Sequence, residues 1–79
     1  MWYVYMVRCK NNAIYTGVTV DMPRRLREHN TGKGGRYTRA HRPVALIHKE
    51  AYQNKSEALK REAKIKTFTK KKKLSIKNL

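Results

Sequence analysis

Acidic residues are scarce in this chain. Five Asp and Glu stand against twenty Lys and Arg in 79 residues, a formal charge of +15. So few carboxylates leave little material for a site built from several of them. Asp21, Glu28, Glu50 and Glu57 read as caps or solvent-facing positions, so a two-metal centre is excluded. Cysteine is nearly absent too. Cys9 is alone, so no intramolecular disulfide forms, and no Cys/His cluster offers a zinc site. A domain of this length buries only about 60% of its unfolded surface, and neither usual staple is present to help it. No apolar run approaches the roughly 18 residues of a membrane span, and no charged-then-apolar leader precedes the first strand. Residues 1–79 are therefore expected to form one domain, soluble and cytoplasmic in a reducing compartment, with no membrane contact.

The surplus of positive charge points to a polyanion. Like charges repel in the compact state, and binding an anionic polymer relieves that repulsion. Basic residues are spread along the chain rather than confined to one amphipathic helix, which favours nucleic acid over a membrane surface. Charge alone fits a passive RNA-binding or ribosome-associated protein as well as an enzyme.

Trp2–Cys9 is rich in aromatic and β-branched residues and reads as a strand, and Ala13–Val18 reads as a second. Lys10-Asn11-Asn12 forms the turn, since Asn tolerates left-handed backbone. A three-residue loop pairs Cys9 with Ala13 and puts Tyr5 and Tyr15 on one face. A two-residue loop would put them on opposite faces, because a one-residue slip reverses every side chain. The three-residue loop is the expectation. Asp21 is an N-cap candidate and Pro23 suits a first helical turn, so a helix is predicted to about Asn30. On it Met22 and Leu26 face the core, while Arg25 and His29 share the neighbouring face. A glycine-rich stretch leads into a basic loop, Arg36–Pro43, and Val44–Ala51 reads as a third strand. Asn54 or Ser56 starts a helix through Lys66 with an apolar stripe of Ala58, Leu59, Ala63 and Ile65. A last helix begins near Thr69. The fold class is α/β in the α+β sense: a small three-stranded, mainly antiparallel sheet flanked by helices, in the order β-β-α-β-α-α.

Glu62 falls inside that apolar stripe. A carboxylate there pairs with Lys66, one turn on, snorkels to the edge of the stripe, or ligates a metal ion. Mg²⁺ can be held by one carboxylate together with waters and phosphate oxygens. Tyr5 and Tyr15, taken singly, are ordinary strand tyrosines. Gly17, in Tyr15-Thr16-Gly17, is the kind of strand glycine that lets a ligand or a backbone approach closely. Arg25 and His29 alone read as a solvated helix face. His41 and His48 lack metal-ligand spacing and receive no role.

Taken together in order, these residues resemble the GIY-YIG nuclease family. Tyr3-Val4-Tyr5 stands where the family has its first tripeptide and Tyr15-Thr16-Gly17 where it has its second. Arg25 follows at the family's spacing, His29 falls where members carry His or Tyr, and Glu62 where they carry the metal-binding Glu. The likeness covers essentially the whole chain and is greatest to small single-domain members similar to the N-terminal nuclease domain of the bacterial excision-repair endonuclease. It departs at Tyr3 for Gly, Thr16 for Ile, and Val18 where some members place Lys. The downstream Asn of many members has no clear counterpart near Leu74.

The resemblance implies a divalent-metal-dependent endonuclease that hydrolyses DNA phosphodiesters in repair or processing, using one Mg²⁺ or Mn²⁺ ion on Glu62. Tyr15, bonded to His29 or beside the metal, would accept the water's proton. Arg25 would pair with the scissile phosphate, and Tyr5 would position phosphate or water. Lys33, Arg36, Arg39 and Arg42 would follow the nucleic-acid backbone, and Tyr37 could stack on a base. Backbone and shape rather than base sequence would be read, with no obligatory protein partner. The alternative is a catalytically silent nucleic-acid binder on the same scaffold. A pure binder has no reason to hold Glu62, which phosphate repels, beside its binding surface.

Overall fold

Strand β1 (Trp2–Arg8) is the centre of the molecule. In the computed structural model, which describes residues 1–79, it lies between β2 (Ile14–Thr19) and β3 (Ala45–Tyr52) in an antiparallel sheet of order β2-β1-β3. Both faces of β1 are covered, so Val4 to Val7 are all buried. Alternation sorts them. Val4 and Met6 join Ile47, Ala58 and Ile65 in one core; Tyr5 and Val7 join Cys9, Met22 and Val44 in another.

The β1–β2 hairpin has the expected three-residue loop. Cys9 N–H donates to the Ala13 carbonyl at 2.8 Å, and Asn12 takes the left-handed conformation at φ 69°. Tyr5 therefore pairs with Gly17 and Val7 with Tyr15, which sets both phenols on one face. Helix α1 (Met22–Asn30) covers that face, with Met22 and Leu26 packed into the core beneath. Asp21 caps it by accepting from Arg24 N–H at 3.1 Å, a contact worth about 1 kcal/mol.

Residues Arg36–Ala40, expected as loop, form a short helix, α2. Nothing in its polar composition signals a helix; the turn is set by Thr38, whose side chain is buried beneath α1. The predicted elements otherwise keep their order, with β3 one residue later than expected at each end.

Helix α3 (Lys55–Lys66) and helix α4 (Lys70–Ile76) cover the opposite face, capped by Asn54 and Thr69. The buried stripe of α3 differs from the expected one. Ala58 and Ile65 are buried, but Leu59 is 43% exposed and Ala63 faces outward. Arg61 and Glu62 are the half-buried residues between Ala58 and Ile65, their stems lying along the stripe.

A β-bulge decides what α3 meets on β3. Met6 pairs with His48 but Val7 pairs with Leu46, so Ile47 is the extra residue. The slip turns His48, Glu50 and Tyr52 onto the α3 face. Glu50, expected to face solvent, is there held by four groups. Its carboxylate accepts from Arg61 Nε at 2.9 Å, Arg61 Nη2 at 3.1 Å and the Tyr52 hydroxyl at 2.6 Å, and His48 Nε2 lies at 2.6 Å. Burial alone would raise its pKa; the bonds from Arg61, Tyr52 and His48 outweigh that and lower it to about 2. A depressed carboxylate stabilises the fold above the pKa of the unfolded chain. That contribution fades as pH falls through about 2.

Candidate active site

The site begins with a ring lying over a missing side chain. Tyr5 projects from β1 across Gly17, and a Cβ at Gly17 would stand 2.5 Å from the Tyr5 hydroxyl oxygen and 2.6 Å from Cζ. The group that approaches Gly17 is thus a side chain, the Tyr5 ring, rather than the ligand or backbone expected there. Gly17→Ala is expected to expel the ring and cost about 1–3 kcal/mol by overpacking, read as a lower denaturant midpoint with unchanged slope.

Two groups converge on the Tyr5 hydroxyl. It lies 2.8 Å from His29 Nε2, and Arg25 Nε donates to it at 3.4 Å, the weak end of the range. On the far side of the imidazole, Nδ1 is 2.8 Å from Thr38 Oγ1, whose hydroxyl donates to the Gly35 carbonyl at 3.4 Å. One proton arrangement satisfies the whole row. The phenol donates to Nε2, Nδ1–H donates to Thr38, and Thr38 donates to Gly35. Burial, with the charge of Arg25 second, pushes the His29 pKa down, so the ring is neutral at pH 7 and able to accept from Tyr5. Burial also raises the Tyr5 pKa, against the lowering effect of Arg25, and keeps that phenol protonated.

His29 is fully buried rather than part of a solvated face. Tyr15 contacts it differently from the expectation. Its ring meets the imidazole edge-on at 5.3 Å and the Tyr5 ring at 6.4 Å, but the hydrogen bond to His29 belongs to Tyr5. Tyr15 is half-buried, and its hydroxyl stays outside the network that engages Tyr5. Of the two phenols, Tyr15 is the accessible one; Tyr5 is 1% exposed.

Arg25 is braced from three directions. Besides Tyr5, its Nη2 donates to the Gly34 carbonyl at 2.6 Å and its Nη1 to Glu28 at 3.2 Å. The bond from Arg25 holds the Glu28 carboxyl below its ordinary range. Gly34 is packed directly on His29: a Cβ there would lie 2.7 Å from the His29 Cα and closer still to Nδ1. Of the glycine stretch, Gly34 is thus fitted against the imidazole, while Gly32 and Gly35 face the neighbouring concavity. Gly34 and Thr38 were not legible as site residues. Both sit in a polar run, and only the packing of that run over His29 gives them a role.

Glu62 stands on α3, the helix that covers the other face of the sheet. Its side chain is 19% exposed and its Oε2 lies 3.4 Å from Lys66 Nζ, so the helical ion pair is formed. The carboxylate also acts on Tyr5, where its charge is one of the influences that raise the phenol's pKa. No group of three or more His, Cys, Asp or Glu could enclose a metal ion. Both nitrogens of His29 are spoken for by Tyr5 and Thr38. The donors that remain are oxygens, Glu62 and the Tyr15 phenol. That set fits a hard divalent cation keeping most of its own waters, and does not fit zinc.

The expected nucleic-acid residues gather beside this centre. Lys33, Arg36 and Arg39 line a concavity of about 310 Å³ with Gly32 and Gly35. Arg42 donates from Nε to the Arg39 carbonyl at 3.2 Å and borders Gly32. Tyr37 is 44% exposed, but one ring face is already against His41, with centroids 4.5 Å apart, and Asn11 donates to its hydroxyl at 3.0 Å. Leu74 packs against the α3-face core, and Asn78, the next asparagine, bonds the backbone of Lys49 away from the site.

A sheet carrying two phenols on one face, with Arg and His from the first helix and a Glu from a later one, defines a small α+β catalytic domain of nuclease type. The chain belongs to the GIY-YIG catalytic domain family, whose model matches residues 1–75. It is 49% identical over 74 residues to a UPF0213 protein of Staphylococcus haemolyticus, covering 94% of this chain and 90% of that one. The solution structure of a UPF0213 protein from Bacillus halodurans superposes with TM-score 0.61 at 39% identity, covering 96% of this chain and 82% of that chain. An Enterococcus faecalis protein gives TM-score 0.63 at 43% identity over 92% of this chain and 78% of that one. No helix here is long and apolar enough to cross a membrane.

Proposed function

We propose that this protein is a divalent-metal-dependent nuclease that hydrolyses DNA phosphodiesters, reading backbone and shape more than sequence. The observation that carries the reading is the convergence of Arg25 and His29 on Tyr5 beside an accessible Tyr15. Family membership supports a nuclease in general terms; the substrate and the ion are proposals.

The roles follow from the geometry. Arg25 presents two terminal nitrogens braced against Gly34 and Glu28. A phosphate displacing Glu28 gains a bidentate partner already oriented, which then stabilises charge growing on the phosphoryl oxygens. Tyr15 would relay the attacking water's proton: its oxygen accepts from the water while its own hydroxyl proton passes to solvent, so the transfer is concerted with attack. Tyr5, buried and protonated, fixes His29 and Arg25 and does not meet the phosphate itself. Glu62 and the Tyr15 oxygen would hold Mg²⁺ or Mn²⁺, which when bound supplies Lewis-acid stabilisation of the leaving oxygen. With no covalent intermediate, cleavage leaves no protein–DNA adduct.

The direct test is a panel of labelled DNAs (duplex, nick, flap, branch, single strand) incubated with Mg²⁺, Mn²⁺ or EDTA. Cleavage of at least one structure with Mg²⁺ or Mn²⁺, abolished by EDTA, is expected. Binding without cleavage of any member would favour the silent binder. Alanine at both Arg36 and Arg39 is expected to weaken binding to all sequences alike and to flatten its salt dependence by about two phosphate contacts, measured by fluorescence anisotropy against salt.

A further inference from the structure

The Glu50 network lies outside the site, yet it grips the helix that delivers Glu62. We propose that Glu50 and Arg61 are positioning residues: their two-pronged ion pair sets the rotation of α3 on the sheet and thereby the direction of the neighbouring Glu62 carboxylate, the proposed metal ligand.

Adjacent residues on a helix are separated by about 100°. Arg61 and Glu62 therefore point to different parts of the sheet. Arg61 reaches β3, where Nε meets one oxygen of Glu50 and Nη2 the other. Glu62, the next residue, leaves the helix in another direction, with its side chain 19% exposed and only Lys66 beside it. Holding one holds the other. The helix has few other fixings: Ala58 and Ile65 are its only buried residues, and the outward Leu59 and Ala63 grip nothing in the core.

Every part of the pair is itself fixed. Tyr52 and His48 bond the same carboxylate from the same strand, at 2.6 Å each. The Phe68 ring lies 6.0 Å from the Arg61 guanidinium carbon. A carboxylate meeting a guanidinium through two parallel bonds fixes angle as well as distance, which one lysine could not do. On the opposite flank, Glu62 has only the exposed end of Lys66, a partner too mobile to orient it. The bulge at Ile47 exists in the right place for this, because without it Glu50 would turn to the other face of the sheet.

The proposal rests on Glu62 serving the nuclease site, and the test separates the two. Mn²⁺ is titrated into the protein without DNA, and paramagnetic broadening of the Tyr15 and His29 ring resonances reports occupancy beside them. Steady-state cleavage is measured in parallel. Arg61→Gln is expected to raise the Mn²⁺ concentration for half-maximal broadening about tenfold and to lower kcat, with KM for DNA unchanged. Arg61→Lys is expected to recover the charge but little of the affinity. Tyr52→Phe, which keeps the ring and loses only its bond to Glu50, gives a smaller shift of the same sign and carries the test if Arg61→Gln does not fold. Folded Arg61→Gln and Tyr52→Phe proteins with wild-type Mn²⁺ titrations, or a change in KM alone, overturn the positioning role and leave the nuclease reading standing. A wild-type protein that neither broadens nor cleaves overturns both.

Discussion

Glu62→Gln is expected to leave a folded protein that no longer cleaves DNA at any Mg²⁺ concentration. The substitution keeps the side chain's shape, so the half-buried position beside Ile65 stays filled. It breaks one ion pair, to Lys66, whose side chain is 55% exposed. Such a pair is worth about 0–1 kcal/mol, so the melting temperature should move by only a few degrees. Activity should respond quite differently. Asp21 is engaged as a cap, Glu28 is engaged by Arg24 and Arg25, and Glu50 is saturated by Arg61, Tyr52 and His48. Glu57 is exposed in the first turn of α3, more than a turn before Glu62, so no other carboxylate stands in its place. Circular dichroism and a cleavage time course decide the matter; equal turnover by mutant and wild type would remove Glu62 from the site.

Tyr15→Phe and Tyr5→Phe are expected to separate chemistry from architecture, although each deletes one oxygen atom. Tyr15 gives its hydroxyl to nothing in the protein, so its loss should change stability by under about 0.5 kcal/mol. It should cost about 10²–10⁴ in kcat, the usual worth of general-base help. Tyr5→Phe strands the buried His29 Nε2 without a donor and takes a partner from Arg25. That costs about 1–3 kcal/mol and loosens the brace on Arg25, so stability and rate should fall together. The readouts are urea unfolding and single-turnover cleavage. A fully active Tyr15→Phe protein would end the base assignment even with nuclease activity in hand. Tyr3→Phe serves as a control expected near wild type, since Tyr3 carries only Lys49 over its ring, at 5.6 Å.

Much of this layout was legible in the sequence because it is local. Asp21, Asn54 and Thr69 announce helix starts through side chains that bond the backbone three residues on. The three-residue hairpin loop fixed the common face of Tyr5 and Tyr15 before any packing was known. What stayed hidden depends on partners distant in sequence. Ile47 has no local mark of a bulge; the slip exists only against β1. Once made, it gives Glu50 and His48 an environment that their neighbours along the chain could not suggest. The stripe on α3 was misassigned for a related reason. Counting apolar residues selects Leu59 and Ala63, whereas the stems of Arg61 and Glu62 cover the sheet and carry their charges to its margins. Likewise, that Tyr5 and not Tyr15 bonds His29 depends on packing between α1 and the sheet, which residue spacing does not reveal.

Strand β3 borders the sheet, and its outer backbone groups are of the kind that invite another chain to add a strand. Asn78 answers that invitation from within. Its side-chain amide donates to the Lys49 carbonyl at 2.9 Å and accepts from the Lys49 N–H at 3.1 Å, imitating one residue of a neighbouring strand, while Leu79 N–H takes the Ile47 carbonyl at 3.1 Å. A protein this basic gathers at high local density wherever polyanions neutralise the repulsion between its copies, and that is when an unguarded border would seed fibrous association. Two residues far from any chemistry thus protect colloidal behaviour under the conditions in which the protein would do its work.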